Sequence, residues 1–163
     1  MGVRLPSELA VLLNELGFLW PEVDEQSLYR MAVAWIEFGG RLGGVTEWAD
    51  DAARAVRDHN EGPAIGAFLS AWTEENAPRT VASEGVTGAR VTAVSLVVCA
   101  ALVLALKIVI IVQLSALLVR IGLALASSAA TAGGSLLSIP LHKKLTGVLV
   151  NLSMNQTSRV LVA

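Results

Sequence analysis

The chain has 163 residues, of which 54% are hydrophobic, and its mean hydropathy is +0.62. This composition excludes an intrinsically disordered chain, because disordered chains combine low hydrophobicity with high net charge. The single cysteine, Cys99, excludes an internal disulfide and a zinc site built from several cysteines.

The net charge of −2 conceals two segments of opposite sign. All 14 acidic residues lie between Glu8 and Glu84, and the six arginines of residues 1–84 leave that segment with a net charge of −8. Residues 85–163 contain no acidic residue and six lysines or arginines, a net charge of +6. We therefore divide the chain into an acidic helical region (1–84), a long apolar helix of the same module (85–130) and a C-terminal tail (131–163).

Residues 7–76 are predicted to form four helical segments, two of them short. Apolar residues recur at helical spacing in this region, and no alternating pattern typical of a strand competes. The pairs Gly39–Gly40 and Gly43–Gly44 predict a break or a bend near residues 39–45, since each glycine disfavours a helix by about 1 kcal/mol relative to alanine. All four tryptophans lie in this region, and tryptophans at helical spacing are more often core than ligand site.

Residues 91–119 are apolar except for four uncharged polar residues and one charge, Lys107. A bilayer span needs about 20 apolar residues, and a lysine at mid-bilayer costs roughly 2.5–3.5 kcal/mol, so this segment can insert. A helix that is apolar on all sides can equally pack inside a bundle or against a partner, which is the interpretation we prefer. The residues that mark this long helix are Val98, Leu102, Lys107, Ile110, Leu114 and Arg120.

No pattern of a known catalytic site occurs in the sequence. The two histidines, His59 and His142, have no cysteine or histidine at metal-binding spacing. The sequence has no phosphate-binding glycine loop, dinucleotide fingerprint, zinc-protease helix motif or nucleophile elbow. Its basic residues are sparse and embedded in apolar sequence, which argues against nucleic acid. We expect a protein that is not an enzyme, with no catalytic residue, cofactor, metal, small-molecule substrate or nucleic-acid partner.

Six short motifs of the acidic region occur in a recognisable order. They are LPSEL (5–9), LNELG (13–17), WPEVDE (20–25), AW (34–35), HNEG (59–62) and FLSAW (68–72). In this order they resemble the WXG100-like N-terminal module of actinobacterial polymorphic toxins, which also opens the outer-membrane channel and necrosis-inducing toxin of mycobacteria. The resemblance covers about residues 4–125, and ALKIVIIVQL (105–114) is similar to the long central helix of that module.

The resemblance implies a helical, non-enzymatic module that accompanies type VII (ESX-like) secretion. In that family helical hairpins pair with partner helices and are exported folded, and the channel in the family name implies membrane activity. The toxic enzyme of the family lies C-terminal to this module, and we expect none within these 163 residues. The sequence departs from the pattern at two points. No tryptophan is followed by glycine two positions later, and the only tyrosine, Tyr29, has Val33 where the export signal has an acidic residue.

We therefore predict an all-α bundle of short amphipathic helices packed on one long apolar helix, acting by helix–helix pairing with a helical partner or a second copy. The predicted interaction residues are Trp20, Leu28, Met31, Trp35, Ile65, Phe68 and Trp72. The alternative is a membrane-inserting or pore-forming protein that uses the acid-free helix 91–130 on an anionic membrane. The N-terminus lacks the apolar stretch of a Sec signal peptide, so we expect secretion by another route or association with the cell envelope.

Overall fold

A computed structural model describes residues 2–162, with side chains described through residue 160. The helices are α1 (Ser7–Glu15), α2 (Glu25–His59), α3 (Pro63–Trp72), α4 (Pro78–Ala126) and α5 (Ser138–Val162), with a 3₁₀ turn at Gly134–Leu137. No strand occurs in the described part of the chain. The predicted all-α helical bundle is confirmed.

The chain divides into two compact units. The terminal unit comprises Met1–Ser27 and Cys99–Ala163, and the hairpin unit comprises Leu28–Val98. Helices α2 and α4 contribute residues to both units, whereas α3 belongs to the hairpin unit and α1 and α5 belong to the terminal unit.

The hairpin unit is packed through small residues. Its buried apolar side chains all belong to alanines, at positions Ala32, Ala53, Ala77, Ala89 and Ala93. Within this unit α2 and α4 run antiparallel, with Gly39 beside Ala89 and Leu42 beside Gly85. A β-carbon on Gly39 would lie 3.2 Å from that of Ala89, so the absence of one permits the close approach of the helices.

The expected break near residues 39–45 is wrong, because α2 continues through both glycine pairs. Glycine lowers helix propensity, but at Gly39 it also allows a contact with α4 that a side chain would prevent. Tertiary packing has therefore overridden a local preference. Helix α4 begins at Pro78, where a proline in the first turn is tolerated because its missing N–H would have no partner within the helix.

The terminal unit has a core of larger side chains. Leu9 and Leu13 of α1, Ile110 and Leu114 of α4, and Val150 of α5 form one buried cluster. The chain leaves α1 through Gly17, whose φ of 81° lies in the left-handed region that glycine favours at the end of a helix. Part of the tail after residue 130 thus belongs to a core, since Val150 has no exposed surface.

The glycines of α2 make a testable contrast. We expect Gly39→Leu to lower the free energy of unfolding by about 1–3 kcal/mol, because its side chain would overlap Ala89. A β-carbon on Gly40 would have no neighbour within 4 Å. Gly40→Leu should therefore raise the free energy of unfolding by up to about 1 kcal/mol, because leucine has the higher helix propensity. Urea unfolding followed by circular dichroism measures both, and equal effects at the two positions would contradict the packing described here.

Candidate interaction surfaces

The charge within the apolar run of α4 is paired inside the terminal unit. The side chain of Lys107 is 3% exposed, and its Nζ donates to Oε2 of Glu25 at 2.7 Å and to the carbonyl oxygen of Val23 at 2.7 Å. The same Nζ lies 5.7 Å from the ring centroid of Trp20, within cation–π range. The Glu25 side chain is 9% exposed and also accepts a hydrogen bond from the backbone N–H of Val3.

This ion pair holds the N-terminal segment against α4. The hydrogen bond from Lys107 lowers the pKa of Glu25, with a further contribution from the Val3 N–H, although burial acts in the opposite direction. A β-carbon on Gly2 would lie 2.6 Å from Oε2 of Glu25, so the backbone passes directly over the carboxylate. Sequence reasoning found Lys107 but missed Glu25, because nothing in the pattern distinguishes it from the 13 other acidic residues.

A patch of large apolar side chains lies exposed on α2 in the hairpin unit. We call Met31, Ala34, Trp35 and Phe38 the aromatic patch; they line a shallow apolar pocket of about 290 Å³. Met31, Trp35 and Phe38 are 46%, 40% and 50% exposed. The rings of Trp35 and Phe38 meet edge to face, with their centroids 5.7 Å apart. Their positions at i, i+4 and i+7 place them along one line of the helix surface.

Within the hairpin unit, Asp50 of α2 accepts hydrogen bonds from both α3 and α4. Trp72 Nε1 donates to Oδ1 of Asp50 at 3.2 Å, and Arg79 donates to both carboxylate oxygens at 2.9 and 3.0 Å. These bonds lower the pKa of Asp50, that from Arg79 most strongly. Phe68 stacks on Trp72 with ring centroids 5.9 Å apart. Of the interaction residues predicted on α3, Trp72 and Phe68 therefore take part in contacts within the hairpin unit, and Ile65 and Trp72 are half-buried.

The remaining predicted site residues fall into three classes. Trp20, Leu28 and Leu102 are half-buried, Ile110 and Leu114 are buried with Lys107, and Val98 and Arg120 are exposed. The expectation that the tryptophans form a core is wrong for Trp35 and for Trp48, which is 75% exposed. The physical reason is the alanine packing of the hairpin, which leaves no interior space for large side chains.

One helix of the described chain, α4, is long and apolar enough to cross a membrane. Only 22% of its most apolar stretch is buried, whereas the core helix of a soluble protein is mostly buried. In the terminal unit the exposed side carries Ile108, Val112, Val119 and Leu123, and the buried side carries Lys107 and the core residues.

The ion pair makes a prediction with a defined pH dependence. We expect Lys107→Met to lower the free energy of unfolding by about 3–5 kcal/mol, because it leaves Glu25 buried without its cation. Lys107→Met with Glu25→Leu should restore much of that loss, since no charge is then buried. The pKa of Glu25 is lowered on folding, so its contribution is complete above its unfolded pKa and disappears as pH falls through the folded value.

Urea unfolding at neutral pH and at pH values below 4 measures these differences. Arg41→Met with Glu37→Leu is a control, because that pair lies exposed on α2 and should contribute little. A double Lys107/Glu25 variant that is no more stable than the single variant would contradict the account.

Comparison with known families gives one match. The sequence profile described as "WXG100 like domain" matches residues 6–143, which extends the resemblance past residue 125 into the start of α5. Comparisons with curated proteins and with solved structures gave no match. The WXG100-like resemblance is confirmed, while its toxin and actinobacterial particulars stay predictions. Because the match covers most of its length, the chain belongs to the WXG100-like family of helical, secretion-associated modules.

Proposed function

We propose that the chain is a non-enzymatic interaction module of a type VII secretion-associated protein, and that its aromatic patch binds a helical partner protein. One observation carries the proposal: Met31, Trp35 and Phe38 are 40–50% exposed on a single line of α2. Exposed aromatic and methionine side chains around a pocket are typical of protein interfaces, where tryptophan often contributes most of the binding free energy.

The shape of the aromatic patch favours a helix as its partner. Ala34 lies between the larger side chains, so the pocket is a depression into which one large residue of a facing helix can insert. Residues repeated at i, i+4 and i+7 extend along the axis of α2, in the way that one helix face meets another. Proteins of the WXG100 family typically form helical hairpin dimers with partners, which agrees with a helical occupant.

Pairing also supplies a route to export. The sequence has no Trp-x-Gly turn, and its single tyrosine lacks the acidic residue of the export signal. A partner that carries the signal would be exported together with this chain. On this proposal, loss of the aromatic patch would weaken binding of the partner and would also stop secretion of the chain.

We expect Trp35→Ala to weaken pairing by about 30-fold or more, because it removes the largest side chain of the aromatic patch. Val33→Ala is the matched control, since Val33 is equally exposed on α2 but lies about 160° around the helix from Trp35. The tagged chain is recovered from cells together with any partner that co-purifies and, separately, is purified alone at micromolar concentration. Size-exclusion chromatography with light scattering measures both assemblies. A monomer in both experiments would overturn the proposal.

A second candidate function, membrane insertion through α4, is favoured by the low burial of that helix. Its most apolar stretch is 22% buried, and the Lys107 charge is neutralised by Glu25 on the side that faces the core. No acidic residue lies in residues 85–163 to oppose contact with anionic lipid.

We expect Val112→Asp to abolish release of dye from vesicles of phosphatidylcholine and phosphatidylglycerol, because a carboxylate within a bilayer is costly. Val112 is exposed, so the substitution should leave the fold intact. Val45→Asp, at an exposed position of α2, should release dye like the unchanged chain. Failure of the unchanged chain to release dye would exclude this candidate and leave pairing unaffected.

A further inference from the structure

We propose that α5 lies on the surface of an anionic lipid bilayer, with Leu141, Leu145, Val148 and Leu152 in contact with the acyl chains. This docking surface goes beyond the pairing proposed for the aromatic patch. It belongs to the terminal unit, and most of α5 lies after residue 143, where the family match ends.

The four side chains form a ridge that points away from the core. They are 52–67% exposed and are spaced by four, three and four residues, so they share one face of the helix over about 16 Å. Val150 and Thr146 occupy the opposite face and are fully buried. The outward face of a helix in water is normally polar, and this one is aliphatic. We call these four residues the α5 ridge.

Unpaired positive charges border the α5 ridge. The other lysine of this segment, Lys143, is paired with Glu15 at 2.6 Å. Lys144, next to Leu145, and Arg159, seven residues after Leu152, take part in no ion pair among the described residues. Both lie in the segment without acidic residues, so α5 itself carries positive charges and no carboxylate.

This chemistry fits a bilayer better than a protein. An aliphatic face combined with lysine and arginine and without carboxylates is the pattern of helices that lie in the headgroup region of anionic membranes. Protein interfaces are instead enriched in aromatic residues at their centre, and the α5 ridge has none. Helix α5 is not among the described helices that are long and apolar enough to cross a membrane, which is consistent with lying on one.

Co-sedimentation of the full chain with vesicles tests the proposal. We expect binding to vesicles of phosphatidylcholine with phosphatidylglycerol, and at least tenfold weaker binding to pure phosphatidylcholine. Leu145→Gln with Leu152→Gln should weaken binding to the mixed vesicles at least tenfold, because it removes half of the α5 ridge. Lys144→Gln with Arg159→Gln should remove most of the preference for the anionic lipid.

The matched control is Val45→Gln with Val81→Gln, two exposed positions of the hairpin unit, which should bind vesicles like the unchanged chain. All substituted positions are exposed, and circular dichroism of each variant checks that its helices are kept. Trp35→Ala should keep vesicle binding, and Val112→Asp should keep binding while losing dye release, which separates this site from pairing and from insertion of α4. Absence of binding to the mixed vesicles overturns the proposal. The proposal is also overturned if the α5 ridge variant binds the mixed vesicles as well as the unchanged chain does, or if the control variant loses as much binding as the ridge variant.

Discussion

The ion pair between Lys107 and Glu25 is the contact on which the terminal unit depends. A single lysine within an apolar helix can be buried only if a carboxylate and further hydrogen bonds compensate the loss of water. This compensation comes from the Glu25 carboxylate, the Val23 carbonyl and the ring of Trp20. The backbone N–H of Val3 donates a further hydrogen bond to the carboxylate. Glu25 is the first residue of α2, and the other groups lie in the N-terminal segment before it, so compensation of this one buried charge positions that segment against α4.

The distribution of large and small apolar residues decides which helix faces are buried and which remain exposed. The hairpin unit buries no apolar side chain larger than that of alanine, and its close helix approach excludes large side chains from the interior. The larger residues of α2 therefore point outward and form the aromatic patch. In the terminal unit one face of α4 and one face of α5 pack into the core. The opposite face of each helix also carries apolar residues, and these are exposed.

These exposed faces are where the proposed functions reside. The membership in the WXG100-like family indicates a helical, secretion-associated module, and its proposed activity is association rather than chemistry. The aromatic patch and the α5 ridge differ in composition in a way that suits different occupants. The patch combines aromatic rings with a depression, whereas the ridge is aliphatic and bordered by unpaired cations.

The sequence by itself determined the helical fold class, the family and the acid-free character of the second segment, because periodicity, the order of motifs and composition can be read along the chain. It also named Met31 and Trp35 among the predicted interaction residues. Only the tertiary structure decided that α2 runs unbroken past Gly39, because the contact with Ala89 is distant in sequence. The pairing of Lys107 with Glu25 and the exposure of Trp48 depend on the same kind of long-range packing, which no local pattern encodes.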